Sequence, residues 1–257
     1  MPVASLLAAP LLAASLHSPL HSPLHSPLPV GSLHSQLPQP PRPSVSSRAL
    51  LAPAAEDEGW LFAALDAGDR SFVPRIQAAP GGRVTIHYRR TGAQGPLDAA
   101  QVLALMRQPP RHERQRAAIR TLLRQLRAIG VTLRWAPLPH SSAAALWDPR
   151  RGVLQLRPDL PASGSEELAR VLNHEGIHVA QSCFAGGLRL PPQPLGLGLQ
   201  PDPLDRPLLE KPPYRQITPL QRQLEEEAFG GQWDLSLGPR LLAQHCKAPQ
   251  PPARLGS

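Results

Sequence analysis

Two histidines stand four residues apart in the segment Asn173-His174-Glu175-Gly176-Ile177-His178, and a glutamate directly follows the first of them. Four residues are about one turn of an α-helix, so on a helix both imidazoles lie on one face and can bind a single Zn²⁺ through ring nitrogens at about 2 Å. Glu175 then lies beside the metal, where it can accept a proton from a water whose pKa zinc lowers toward about 7. The spacing therefore predicts metal-assisted hydrolysis, with His174 and His178 as ligands and Glu175 as general base.

The residues around the histidines predict a helix. Ser163 or Ser165 is a suitable N-cap, acidic residues follow at 166 and 167, and no proline occurs from 162 to 190. At 100° per residue the two histidines share one face with Gln181. The opposite face consists of Leu168, Leu172, Gly176, Val179 and Cys183. We therefore expect an apolar back that packs on a core and a polar front that holds a metal.

A third ligand is offered by residues 217–229, which predict a second helix. Thr218 is its N-cap, Pro219 fits its first turn, and the apolar stripe consists of Leu220, Leu224 and Ala228. Glu225 and Glu227 flank this stripe at about +100° and −60°, whereas the residue between them points away. Either flanking carboxylate can reach a metal at the boundary of the core.

Together the two segments resemble the gluzincin type of zincin metallopeptidase, in which a glutamate on a following helix completes a His, His, Glu zinc site. The resemblance covers about residues 163–229. It implies zinc as cofactor, His174 and His178 as ligands, Glu175 as general base and a peptide or protein as substrate. In many such families the helix that carries the third ligand has the sequence Glu-x-x-Ala, with a second acid before the alanine. This pattern implies that Glu225 is the ligand and that Glu227 supports the site without binding the metal. The acid that follows the alanine in some of these families is Phe229 here.

The remaining pattern predicts an α+β domain over residues 56–247. The resemblance implies that this domain is zincin-like, with a small mixed or antiparallel sheet packed on the two ligand helices. We expect strands at 84–88 and 131–135 and a hairpin of 145–147 with 153–156. Further helices are predicted from about residue 56, at 98–106, at 112–129 and at 239–245. The hairpin leads directly into the histidine helix, as does the cleft-edge strand of zincins. A substrate peptide is therefore expected to bind by β-augmentation.

The loop at 188–213 is rich in Pro, Gly and Leu and is long enough to cover or line the cleft. Tyr214 closes it. Tyr214, His245 or a backbone amide is a candidate donor to a developing oxyanion, and a purely structural tyrosine is the alternative.

The two ends of the chain differ from this domain in composition. Residues 1–55 contain three copies of His-Ser-Pro-Leu, and the chain as a whole has 34 prolines and only 4% aromatic residues. We expect this leader and the tail at 248–257 to be disordered. The apolar start is a candidate export signal, although no Lys or Arg occurs before Arg42 and Pro10 interrupts the run. No apolar run is long enough for a membrane span.

The only two cysteines, Cys183 and Cys246, follow the metal helix and the last helix. In an exported protein they can form a disulfide, whereas in the cytosol they are two buried thiols. We favour the disulfide, and with it a periplasmic or extracellular location.

The formal net charge of +8 comes largely from one face of the helix predicted at 112–129. That face carries Arg114, Arg116, Arg120, Arg124 and Arg127. A binder of nucleic acid or of an anionic surface is therefore one alternative function, but aromatic stacking groups are few and no nucleic-acid motif is present, which favours a solvated helix face. The other alternative is a zinc-holding scaffold without catalytic activity.

Overall fold

The computed structural model describes residues 13–14, 58–78, 84–89, 97–138, 143–211 and 214–247. In chain order its elements are β1 (Ala13–Ala14), α1 (Glu58–Arg70), β2 (Arg75–Ala78), β3 (Val84–His87), α2 (Ala99–Arg107), α3 (Glu113–Ala128), β4 (Thr132–Trp135), β5 (Ala143–Asp148), β6 (Val153–Leu156), α4 (Ser165–Phe184), α5 (Pro219–Gly231) and α6 (Leu237–His245). Short 3₁₀ turns lie at Leu160–Ser163, Arg206–Leu208 and Tyr214–Gln216. The predicted α+β class is confirmed.

The larger sheet has the strand order β1-β5-β6-β4. The hairpin of β5 and β6 is antiparallel as predicted, β4 pairs with β6 in parallel, and β1 pairs with β5 antiparallel. The sheet is therefore mixed, one of the two forms expected. β2 and β3 form a separate antiparallel pair. β2 was not predicted, because all four of its side chains are exposed and no buried face imposes an alternating pattern.

Side-chain caps fix the N-terminal ends of α2 and α5. Asp98 caps α2 and Thr218 caps α5, and each forms a reciprocal capping box with a glutamine three residues later. The expectation that Leu220 joins the apolar stripe of α5 is wrong. Leu220 is 45% exposed because it lies in the first turn of the helix, and burial begins at Leu224.

The histidine helix α4 is the centre of the fold. It packs against α3, α5, α6 and β5, and 17 of its 20 residues are buried. Its apolar back faces α3 and α6: a Cβ added to Gly176 would lie 3.2 Å from Leu122 and 3.9 Å from Leu242. The predicted polar front is covered as well, because α5 and β5 pack against the same helix. Polar side chains can be buried there because each finds a partner inside the protein.

The N-terminus of α4 is capped from another helix, so the predicted serine cap is wrong. The N-cap position is Gly164, at φ 95°, and it has no side chain to offer. Instead Asp69 of α1 accepts hydrogen bonds from the Ser165 backbone N–H at 2.6 Å, from the Ser165 hydroxyl at 2.7 Å and from Arg116 at 2.7 Å. These donors outweigh the effect of burial and lower the pKa of Asp69.

The C-terminus of α4 is held by a disulfide. Cys183 and Cys246 are bonded, with Cα atoms 5.0 Å apart. The predicted pairing is confirmed, and it joins α4 to the residue that follows α6.

Several predictions fall outside the described residues. Of the predicted leader only Ala13–Ala14 is described, so the His-Ser-Pro-Leu repeats, the export signal and the tail at 248–257 stay predictions. Among the helices that the structure describes, none has both the length and the apolar character to cross a membrane.

Candidate metal centre

Three side chains from two helices meet between α4 and α5. The Nε2 atoms of His174 and His178 are 3.1 Å apart. Glu225 presents one oxygen to each ring, with Oε2 at 3.4 Å from His174 Nε2 and Oε1 at 3.6 Å from His178 Nε2. One helical turn aligns the histidines, and the packing of α5 on α4 supplies the carboxylate. The structure thus brings together the three residues that the sequence singled out as ligands.

These side chains are buried, and part of their hydrogen-bonding capacity is unused. His174, His178 and Glu225 are 2%, 1% and 1% exposed. Within the described part of the chain neither oxygen of Glu225 makes a close hydrogen bond, and the ring nitrogens of His174 and His178 lie 3.4 and 3.6 Å from them. A buried carboxylate without donors is costly unless a cation compensates it.

The separations fit a zinc ion. Zinc with tetrahedral N and O ligands at about 2.0–2.1 Å has ligand atoms about 3.3–3.4 Å apart. The two ring nitrogens are 3.1 Å apart, the nearest Glu225 oxygens lie 3.4 and 3.6 Å from them, and one ligand atom from each residue lies within 4.8 Å of the others, which is close enough for all three residues to share one ion. Two imidazoles and one carboxylate are a donor set that could hold a metal ion such as zinc.

The two candidate carboxylates on α5 have different surroundings. Glu225 faces the histidines, whereas Glu227 accepts hydrogen bonds from Gln181 and from three backbone amides of the loop at 195–197. The geometry therefore favours Glu225 over Glu227 as the third ligand.

The acidic and basic groups of the centre shift one another's pKa values. Burial opposes ionisation of Glu225, but the adjacent His178 outweighs it and lowers the pKa of Glu225 to about 2. Burial also opposes protonation of His178, yet Glu225 raises the pKa of that imidazole to about 9. Burial lowers the pKa of His174. An ionised carboxylate therefore lies beside the histidines before any metal binds, and a divalent cation can replace the proton on His178.

Glu175 lies next to the centre without joining it. Its side chain is 1% exposed, and burial raises its pKa to about 7. The Trp147 backbone N–H donates a hydrogen bond to the carboxylate, while Oε1 has no partner among the described residues. A carboxyl group with such a pKa can both accept and return a proton near neutral pH.

Aromatic residues line the other side of His174. The Phe229 ring lies edge-on to His174, with centroids 4.8 Å apart, and Tyr214 packs edge-on to Phe229 at 5.6 Å. Phe229 thus contacts the ring of one of the two clustered histidines. Tyr214 is buried in the apolar cluster of Leu208, Leu209 and Phe229, and both the oxyanion role and the structural role given for it above stay predictions.

His245 is not near the metal group. Its ring is edge-on to Phe184 at 5.4 Å, beside the disulfide, and it belongs to the helix that packs on the back of α4. The suggestion that His245 assists an oxyanion is therefore wrong, because α4 lies between the two.

Asn173 is the residue of this region that sequence reasoning missed. It is fully buried, and it ties the turn between α5 and α6 to α4 through four hydrogen bonds. A polar residue beside a ligand histidine was a signal, but its partners lie about 60 residues away in sequence.

The arginine face of α3 is partly used within the protein. Arg116 binds Asp66 and Asp69, Arg127 pairs with Glu58 at 2.9 Å, and Arg120 lies over the Phe62 ring. Three of the five predicted arginines thus contact α1, which leaves less of the face for an anionic partner.

Comparisons with family models, with curated protein sequences and with solved structures found no match to this chain.

Proposed function

We propose that this protein is a zinc-dependent metallopeptidase with a zincin-like domain of the gluzincin type. The observation that carries the proposal is the convergence of His174, His178 and Glu225 at ligand spacing, with the carboxylate oxygens lacking donors among the described residues. Glu175 adds the second requirement of a hydrolase, a carboxyl group beside the metal group that is not one of its ligands.

Glu175 and Trp147 have separate roles in the proposed hydrolysis. A bound zinc ion supplies a Lewis acid and lowers the pKa of water near it. Glu175 accepts the proton of the attacking water at Oε1, which has no competing partner in the described part of the chain, and returns it to the leaving amine. The Trp147 N–H holds the carboxylate in place during both transfers.

β5 is the proposed substrate strand. It contains Trp147, whose backbone contacts Glu175, and its outer edge pairs antiparallel with an extended segment, Ala13 opposite Ala145 and Ala14 opposite Ala143. The same backbone groups can bind an extended peptide. A substrate that uses this edge must displace β1.

A zinc-holding protein without hydrolytic activity is the second candidate. It is favoured by the burial of all three ligands and of Glu175, each at 2% exposure or less. An enclosed ion can serve to hold α4 and α5 together instead of acting on a substrate.

Metal binding is tested by zinc titration against a competing chelator. Wild-type protein should bind one zinc ion, and Glu225→Gln should bind it at least 10-fold more weakly. The matched control is Glu226→Gln, one residue along the same helix, where the side chain is part-exposed and lies 3.9 Å from Arg222. Equal affinities for the two variants would overturn the ligand assignment.

Catalysis is tested with Glu175→Gln and a casein-type substrate. The variant should keep its zinc and lose hydrolysis, because Glu175 is a base and not a ligand. Zinc retention with no activity in the wild type either would favour the scaffold, and loss of zinc in the variant would make Glu175 structural.

The substrate strand is tested by removing residues 1–57. If a peptide and β1 compete for β5, the shortened protein should have a lower KM for peptides and an unchanged kcat. An unchanged KM would contradict the proposed binding edge.

A further inference from the structure

Gln181 connects a ligand histidine to the second acid of α5. Its Oε1 is 2.8 Å from His178 Nδ1, and its Nε2 donates to Glu227 Oε2 at 2.9 Å and to the Leu224 carbonyl at 3.2 Å. If the Gln181 amide were rotated by 180°, its oxygen would face the Leu224 carbonyl and the Glu227 carboxylate, which are both acceptors. These neighbours therefore fix the orientation of the amide. Because Oε1 can only accept, His178 carries a proton on Nδ1 and directs Nε2 toward the metal group.

Glu227 in turn organises the loop between the two ligand helices. The carboxylate is 3% exposed and accepts the backbone N–H groups of Leu195 at 2.9 Å, Gly196 at 2.7 Å and Leu197 at 3.1 Å. Three successive amides that converge on one anion form a concave anion-binding backbone, and Gly196 adopts the positive φ of 72° within it. With Gln181, the carboxylate therefore has four neutral donors.

The same loop is packed against both helices. The Gln193 N–H donates to the Gln181 carbonyl at 3.2 Å. Further along, a Cβ added to Gly230 of α5 would lie 2.7 Å from the Leu199 Cβ. The segment from 193 to 200 is thus held at α4, at Glu227 and at the end of α5. It is the part of the predicted cleft loop with the most direct connection to the metal group.

We propose that Gln181 and Glu227 are positioning residues that couple the orientation of His178 to the order of loop 193–200, so that metal occupancy and loop order stabilise each other. The path is continuous: imidazole, carboxamide, carboxylate, then backbone amides. Such coupling is reciprocal, so zinc protects the loop to the extent that an ordered loop tightens zinc binding. The inference rests on the metal-binding part of the proposed function and not on hydrolysis.

The main test compares Glu227→Gln with the control Glu226→Gln. Glutamine keeps the size of Glu227 but offers one acceptor oxygen and turns an NH₂ group toward backbone donors. We expect a loss of zinc affinity of about 10- to 100-fold, the range found for residues that orient metal ligands. Hydrogen exchange of the amides at 195–197 should slow on zinc addition in the wild type and in Glu226→Gln, and much less in Glu227→Gln.

A second variant keeps the test decisive if Glu227→Gln does not fold. Gln181→Met fills the same space but breaks the connection between His178 and Glu227, while Glu227 retains its three loop amides. Its zinc affinity should fall by a similar factor. The imidazole ¹⁵N signals of His178 should lose the single Nδ1–H tautomer, which a merely packing role of Gln181 would not change. The double variant should bind zinc no more weakly than the worse single variant, because both changes interrupt one path.

Two results would overturn the inference alone: zinc affinity of Glu227→Gln within twofold of the control, or loop exchange that does not respond to zinc in the wild type. A wild-type protein that binds no zinc would overturn both the inference and the proposed function. A protein that binds zinc with the expected coupling but cleaves no peptide would sustain the inference and refute the peptidase.

Discussion

Replacing Asn173 by alanine should strongly destabilise the protein, because it removes the four hydrogen bonds that tie α4 to the end of α5 and the start of α6. The Asn173 amide nitrogen is 3.0 Å from each of the carbonyl oxygens of Gly231, Gln232 and Asp234. Its Oδ1 accepts the Gly238 N–H at 2.9 Å. These contacts hold the end of α5, and with it Glu225, against the helix that carries the histidines.

The expected cost follows from these hydrogen bonds. A buried hydrogen bond contributes about 1 kcal/mol net, and a buried group left without its partner costs about 1–3 kcal/mol. The carbonyls at the end of α5 and the Gly238 N–H lose a partner inside the protein. We therefore expect a loss of about 4 kcal/mol in the free energy of unfolding, a large part of the roughly 5–15 kcal/mol typical of a domain. Zinc affinity should fall as well, because Glu225 is no longer held in register.

The measurement is urea unfolding of the metal-free protein with its disulfide intact. Asn173→Asp is the informative companion, because it keeps Oδ1 for Gly238 but places a second oxygen among three carbonyls. We expect it to be at least as destabilising as alanine. A loss below about 1 kcal/mol for alanine, or wild-type stability for aspartate, would refute the reasoning.

Three further predictions concern the ends of α4. The Cys183–Cys246 bond joins residues that are 63 positions apart, and its reduction should lower the free energy of unfolding by about 4 kcal/mol on the chain-entropy model. The measurement is unfolding with and without dithiothreitol. A protein that is equally stable when reduced would contradict this prediction. Asp69→Asn should cost about 2 kcal/mol at neutral pH, because it weakens the cap on Ser165. The pKa of Asp69 is lowered below 3.8 in the folded state, so this stabilisation is complete above about pH 4 and is lost as the pH falls through the folded pKa; a wild-type advantage that persists unchanged at low pH would refute it. Gly68→Ala should prevent normal docking of α1, because the added Cβ would lie 2.7–2.9 Å from three backbone atoms of the turn before α4. The measurement is the melting temperature. A value like that of the wild type would contradict this close approach.

Those parts of the fold that depend on neighbouring residues could be predicted from the sequence. The helix that begins after Asp98, the N-cap Thr218, and the hairpin of β5 and β6 all arise from residues close in the chain. The convergence of His174 and His178 is of the same kind, since one helical turn sets it.

Features that depend on distant residues could not be predicted. The cap on α4 comes from Asp69, 96 residues before Ser165, and the parallel pairing of β4 with β6 leaves no local pattern. Angles on a helical wheel left Glu225 and Glu227 equivalent. Only the packing of α5 and the loop at 195–197 distinguishes them, because backbone amides bind Glu227 and leave Glu225 for the histidines.

Burial on every side of α4 restricts how this protein can diverge. Of its 20 residues, 17 are enclosed, and the polar ones among them are matched to partners on α1, α5, α6 and β5. A substitution there disturbs packing, a hydrogen bond or the metal group, so a saturation-mutagenesis map should show almost no tolerated change from 168 to 183. Under the proposed function, new substrate preferences must then arise elsewhere, at the outer edge of β5 or in the exposed part of the 188–213 loop. Homologues should therefore keep the helix nearly invariant, while the outer edge of β5 and the exposed part of the 188–213 loop vary.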